Sequence, residues 1–176
     1  MKKTIAALLL LMLATACGQP AVAEPVNADD VMFAQMMIPH HRQGIEIVRQ
    51  VTDRPVSKQL KTLASAIQVT QDDEVKRMIG WLQEWGQPIT PPSNAHAHHG
   101  GLPETDREQI ARLKKARNFE RDFINLLIAH QDDAVNMARI ELYNGINPSA
   151  KQWADQVVAS RQQQIEQLKL MLKAVS

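Results

Sequence analysis

The chain has 176 residues, of which 44% are hydrophobic, and its 20 basic and 19 acidic side chains give a formal net charge of +1. That balance excludes the strongly basic surface of a typical nucleic-acid-binding protein. The chain has one cysteine, Cys17, which excludes an intrachain disulfide, so the domain has to be stabilised by its own core.

The N-terminal segment has the pattern of a secretory signal peptide. Lys2 and Lys3 precede an apolar run over residues 5–13, and small residues follow it. The apolar run is too short for a good membrane-spanning helix. We therefore expect an exported domain, in the periplasm or on the cell envelope. Without the two lysines, 18 basic residues face 19 acidic ones, a formal charge of −1.

The cleavage position has two interpretations. Residues 13–17 read Leu-Ala-Thr-Ala-Cys, which resembles a bacterial lipobox. This predicts a signal peptide over residues 1–16, lipidation of Cys17 and a tether over residues 17–28. The alternative is ordinary cleavage after Ala23. The position of the only cysteine favours the lipoprotein.

Four long helices are predicted after the tether, in two hairpins that form one domain over residues 29–174. Aspartates suit the start of the first helix, and Pro148 suits the first position of the last. No stretch shows the alternation of a β-strand. The hairpins cover residues 29–86 and 118–174, and the helices cover residues 29–51, 56–85, 119–143 and 148–173.

The second hairpin is a copy of the first, displaced by 90 residues without a gap. At this displacement Phe33 falls on Phe123, and His40 falls on His130. A duplicated helical hairpin predicts an all-α fold, specifically a four-helix bundle with a pseudo-twofold axis.

The predicted inward stripe of each helix carries polar side chains among its apolar ones. The stripe repeats at alternating steps of three and four residues, as in packed bundle helices. Burying a polar group costs a few kcal/mol unless it is paired. Two interpretations remain open, a satisfied hydrogen-bond network or a metal site in the bundle core. The inward polar residues are His40, Gln71, Glu74, His130, Arg161 and Gln164.

The run from Met37 to His41 has the residue types of a copper site. Met37 lies one turn before His40 and His41, and Pro39 between them removes a helix hydrogen bond. Imidazole and thioether ligands together favour copper, and thioethers favour Cu(I) in particular. The alternative for each methionine taken singly is ordinary core packing.

The second copy offers His130, with Met137 two turns later, as the matching metal ligands. The second helix adds Glu74 and Met78 on its inward stripe. No Glu-x-x-His pair is present, which argues against a di-iron site.

The turn of the first hairpin fixes which residues face one another. A turn near Arg54 predicts that Met37 lies opposite Gln71. Glu74 would then join the site at the level of Met37 or belong to a second layer.

The predicted loop over residues 87–104 carries a separate histidine cluster. His96, His98 and His99 lie within four residues, a spacing that can bind Cu(II), Zn(II) or Ni(II). The alternative is a polar linker with no ligand.

Two segments resemble the motifs of the domain of unknown function 305 family. Residues 30–41, Asp-Val-Met-Phe-Ala-Gln-Met-Met-Ile-Pro-His-His, resemble its first motif, and residues 123–130 resemble its second. The resemblance covers about residues 28–173. It implies a ferritin-like four-helix bundle, found in secreted and lipid-anchored bacterial proteins, some of them linked to copper binding and copper tolerance. Further matching residues are Glu74, Met78, Ala134 and Met137.

The sequence departs from this family pattern at several ligand positions. Gln131 stands where the second motif has a second histidine, and Ile47 stands where the first often has methionine. Gln164 and Leu168 occupy positions that are often glutamate and methionine. The loop is rich in histidine where the family is often rich in methionine. These departures leave Cu(II) and zinc open beside Cu(I).

Together these features predict an envelope metal-binding protein that sequesters copper for tolerance or acts as a metallochaperone. The candidate partners are the metal ion, other envelope copper-handling proteins, and the membrane through a lipid anchor. No acid–base pair or nucleophile indicates an enzyme. The alternative is a metal-independent structural or interaction module of the envelope, whose buried polar groups form a hydrogen-bond network.

Overall fold

The computed structural model describes residues 24–90 and 107–175, and these ranges contain five helices and no strand. The all-α prediction is therefore confirmed, and the four long helices begin and end within about two residues of their predicted bounds. The helices are α1 (Ala28–Arg49), α2 (Lys58–Glu84), α3 (Arg107–Leu113), α4 (Phe119–Asn144) and α5 (Pro148–Ala174).

Several sequence predictions fall outside the described residues. They are the signal peptide over residues 1–16, the lipidation of Cys17, and the histidine cluster of His96, His98 and His99. These stay predictions. Within the described ranges, no helix combines the length and the apolar character needed to cross a membrane.

The long helices pack as two hairpins, α1 on α2 and α4 on α5, and the hairpins join mainly through α1 and α4. The N-terminal half of α1 meets the C-terminal half of α4, so these two helices run antiparallel. The pseudo-twofold axis implied by the sequence repeat therefore exchanges the two ends of the bundle. A four-helix bundle places the middle of every long helix at its centre.

Asp30 fixes the start of α1 to the connection between α4 and α5. Its backbone N–H donates to the Asn27 side chain, and its carboxylate accepts from the Asn27 backbone, which completes a capping box. The same carboxylate accepts from the backbone N–H groups of Ile146 and Asn147 at 3.0 and 2.9 Å. This buried aspartate therefore joins the two hairpins at one end of the bundle.

The apolar interior forms two clusters, one towards each end of the bundle. The methionine-rich core includes Met36, Met37, Met78 and Met137 beside Phe33, Leu82 and Trp153. The aliphatic core includes Ile47, Leu60, Ile67, Leu127 and Leu168 beside Phe123. The short helix α3 closes the aliphatic end, where Ile110 and Leu113 are buried.

Candidate metal centre

A layer of polar side chains separates the two apolar cores at the middle of the bundle. Five of its eight members are less than 1% exposed, which is rare for polar groups. The prediction that polar side chains lie on the inward stripe agrees with this burial. The polar layer consists of His40 and His41 from α1, Gln71 and Glu74 from α2, His130 and Gln131 from α4, and Arg161 and Gln164 from α5.

His40 and His130 meet at the centre of the polar layer. Their rings stack with centroids 3.9 Å apart and planes 8° from parallel, as expected for residues related by the pseudo-twofold axis. Burial, followed by the charge of neighbouring side chains, lowers the pKa of His130 to about 3 and that of His40 well below its usual value. Both imidazoles are therefore neutral at pH 7, and each ring has one nitrogen that carries no proton.

His41, Glu74 and Arg161 form a charged group beside the stacked pair. The Nε2 atom of His41 lies 2.7 Å from Oε2 of Glu74, and the same oxygen accepts from the buried Arg161 guanidinium. Burial alone would raise the pKa of Glu74, but the hydrogen bond from His41 and the charge of Arg161 lower it overall. Glu74 is therefore a carboxylate at neutral pH, held between two donors.

The second hairpin contains the uncharged counterpart of the His41–Glu74 pair. Gln131 and Gln164 occupy the positions of His41 and Glu74 in the repeat, and the Gln131 amide donates to Oε1 of Gln164. Both copies therefore join their two helices through one polar pair. Because only the first pair is charged, the polar layer is asymmetric about the pseudo-twofold axis.

The register within the first hairpin differs from the predicted one. Gln71 faces Gly44 and not Met37, and His41 reaches Glu74 directly. The turn begins where expected, but the connector between α1 and α2 continues along the bundle before the chain turns back into α2. Lys61, at the start of α2, donates a hydrogen bond to the carbonyl of Thr52 in this connector. The prediction that placed Met37 opposite Gln71 was therefore wrong by two helical turns.

Gly44 makes room for the polar layer. A Cβ atom added there would lie 2.5 Å from Nε2 of His130 and would also overlap the Gln71 amide. The side chains of Gln71 and His130 therefore occupy the space that any other residue at position 44 would need.

The donor atoms of the polar layer fit a metal in type but do not form a finished coordination shell. Neither amide atom of Gln71 nor Nδ1 of His41 has a hydrogen-bond partner among the described residues. Such buried, unsatisfied atoms call for a ligand or a water molecule. However, no three His, Cys, Asp or Glu side chains in the described ranges converge closely enough to hold a metal ion.

The methionines predicted as ligands lie next to the polar layer. Met37 and Met78 are fully buried and Met137 nearly so, and all three pack in the methionine-rich core. Their packing agrees with the core alternative, and their role as ligands stays a prediction. Gln131 was not predicted to be part of the site. Its position in the 90-residue repeat, equivalent to that of His41, could have indicated that it lies in the polar layer.

The buried carboxyl group of Glu141 is expected to make the stability of the protein depend on pH. Burial, followed by the adjoining Asp30, raises the pKa of Glu141 to about 8. The folded state then binds more protons than the unfolded state between about pH 4.5 and pH 8, so the free energy of unfolding falls as the pH rises through this window. We expect a fall on the order of 2 kcal/mol, allowing for screening by solvent.

Urea unfolding at pH 5 and pH 8 measures this effect. Glu141→Gln mimics the protonated acid, and we expect it to lose most of the difference between the two pH values. A variant that keeps the full difference would show that another group is responsible.

The comparisons with known proteins agree with the fold. The family model for a domain of unknown function (DUF305) matches residues 30–172, and no curated protein matches the sequence. A Streptomyces coelicolor DUF305 protein assigned as secreted aligns with a TM-score of 0.77 at 24% identity, over 84% of this chain and 93% of that one. A Deinococcus radiodurans DUF305 fragment gives 0.72 at 28%, over 85% and 99%.

The solved structures that resemble the chain also include CopM. Its Cu(I)-bound form has a TM-score of 0.69 at 29% identity, and the alignment covers 82% of this chain and 96% of that one. Cu(II)-bound and Ag-bound forms of CopM match similarly, with TM-scores of 0.70 and 0.69.

Proposed function

This chain belongs to the DUF305 family, and we propose that it is an exported copper-binding protein that sequesters the ion or hands it on. The observation that carries the proposal is the polar layer, in which His40, His41 and His130 lie buried in the bundle core. Buried neutral imidazoles are suitable donors for copper because no proton has to leave first. The copper-bound and silver-bound structures of CopM support the choice of metal.

Each group of the polar layer has a distinct part in this proposal. Copper bound there would accept electron pairs from imidazole nitrogens and, if soft, from thioether sulfur. His40 and His130 supply nitrogens from both hairpins, and His41 supplies a third. Glu74 supplies negative charge, which Arg161 balances in the metal-free protein. The candidate sulfur donors lie in the methionine-rich core beside the polar layer, and they are Met37, Met78 and Met137.

The proposal extends to residues outside the polar layer. His96, His98 and His99 would capture the ion and would also accept Cu(II) or zinc. The signal-like segment would direct export, and a lipid on Cys17 would hold the protein at the membrane. Envelope proteins that carry copper are the proposed partners, and the role is binding and not catalysis.

A metal titration of residues 24–176 tests the proposal. We expect His41→Gln to weaken the affinity for Cu(I), measured anaerobically by competition with a chromophoric chelator, by at least about tenfold, or 1.4 kcal/mol. The substitution copies Gln131 of the second hairpin, so the fold should accept it. Gln131→Ala is the matched control, since it perturbs the same layer without removing an imidazole. Equal affinities for wild type and His41→Gln would contradict the assignment.

One observation favours a metal-independent role as the second candidate. Glu74 already has two buried partners, and no three acidic or histidine donors converge among the described residues. In that case the polar layer would serve only to fix the register of the four helices. His41→Gln would then lower the free energy of unfolding, and neither protein would retain copper after dialysis.

A further inference from the structure

A small cavity lies between α1 and α4 at the edge of the methionine-rich core. Its volume is about 110 Å³, the space of a few water molecules. Each helix contributes side chains four residues apart, so they share one helix face. The lining residues are Asp29, Met32, Phe33 and Met36 from α1, with Met137, Ile140 and Glu141 from α4.

Three thioethers therefore border one cavity from two helices. Met36 and Met137 are 8% and 6% exposed, while Met32 is partly exposed and opens the cavity towards solvent. Neither arginine nor lysine is among the described residues that line it. The cavity thus combines three soft, uncharged sulfur donors, an environment that favours a soft cation.

The pseudo-symmetry shows that packing alone does not require these methionines. In the other copy, Leu126 occupies the position of Met36, and Ile47 occupies that of Met137. Both counterparts are buried in the aliphatic core, so hydrocarbon side chains fill the same sites in the same fold. Five of the eight methionines of the chain nevertheless lie in or against the methionine-rich core, namely Met32, Met36, Met37, Met78 and Met137.

We propose that this cavity is a second metal site, at which the sulfur atoms of Met32, Met36 and Met137 bind a soft monovalent cation, Cu(I) or Ag(I). Thioethers have no proton to lose and select Cu(I) over zinc and other harder ions. The site deepens the proposed copper-binding function and rests on it. It shares Met137 with the candidate donors of the polar layer, whereas Met32 and Met36 belong to the cavity alone. Met32 and Met36 had no role in the sequence prediction.

A silver titration of residues 24–176 tests this site, because Ag(I) does not change its oxidation state during the measurement. The variant Met32→Leu/Met36→Leu leaves Met137, a candidate donor to the polar layer, in place, and such volume-conserving exchanges are well tolerated. We expect it to bind one equivalent of Ag(I) fewer than wild type. In wild type, the methyl resonances of Met32, Met36 and Met137 should shift on addition of Ag(I).

Met171→Leu is the matched control, since Met171 packs against the aliphatic core. It should retain the wild-type stoichiometry. Unchanged stoichiometry in the double variant, or an equal loss in Met171→Leu, would overturn the proposal. His41→Gln separates the two sites. If His41→Gln loses all Ag(I) binding, the thioether site is overturned. If only the methionine variant loses Ag(I), the thioether site is supported, even if the polar layer binds no metal.

Discussion

Replacing Arg161 with glutamine is expected to lower the free energy of unfolding by about 3–5 kcal/mol, the cost of breaking a buried ion pair on one side. Arg161 is fully buried, and its guanidinium binds Glu74, whose side chain is only 12% exposed. The substitution leaves this carboxylate without its cation inside the bundle. Among the described residues, His41 would then be the remaining partner of this charge, because it also contacts Glu74.

A double-mutant cycle shows whether this loss arises from the pair itself. Glu74→Gln alone should also destabilise the protein, because it leaves the Arg161 charge buried. The double variant Arg161→Gln/Glu74→Gln removes both charges and copies Gln71 and Gln164 of the repeat, so it should recover much of the stability. Chemical denaturation measures all four proteins.

The exposed pair of Asp73 and Lys76 provides the control for this cycle. Their contact is 2.8 Å long but lies in solvent, so Lys76→Ala should cause no measurable loss. If Arg161→Gln were no more harmful than Lys76→Ala, or if the double variant were as unstable as the sum of the single ones, the ion pair would not stabilise the fold.

Gly44→Ala is expected to cost about 1–3 kcal/mol, as overpacking of a filled core does. The new methyl group would overlap the Gln71 amide and lie 2.5 Å from Nε2 of His130. Since alanine normally favours a helix over glycine, the loss would have to come from the polar layer. We also expect weaker copper binding, because His130 must move to relieve the contact.

Gly80→Ala is the control for the same exchange in a helix. A Cβ atom at position 80 has no atom of the described residues within 4 Å, so this variant should gain up to about 1 kcal/mol. Thermal and urea unfolding of both variants give the comparison. A gain in stability for Gly44→Ala, similar to that for Gly80→Ala, would show that the packing of Gln71 and His130 against Gly44 is loose.

The sequence predicted the fold well because the repeat and the helical stripe are both local patterns. The displacement of 90 residues placed His40 and His130 at equivalent positions, and the structure stacks their rings. The predicted inward stripe was too narrow. It included His40 and His130, but the residues that follow them, His41 and Gln131, are also fully buried. A helix that contacts two neighbours buries a wider face than the two positions per heptad of a simple seam.

The details of the site depended on longer-range geometry. The pairing of His41 with Glu74 follows from the path of the connector after α1, which no helical periodicity encodes. The cavity between Met36 and Met137 follows from the antiparallel packing of α1 on α4, which the repeat alone left open. Asp30 likewise has partners more than 100 residues away, and only the folded chain brings them together.

Anomalous diffraction at the copper absorption edge, from crystals of residues 24–176 loaded with copper, tests the central claim most directly. The account predicts a copper peak within the polar layer, in bonding contact with imidazole nitrogens of His40, His41 or His130. A fully loaded crystal in which the polar layer contains no copper, and Glu74 still binds His41 and Arg161, would contradict it.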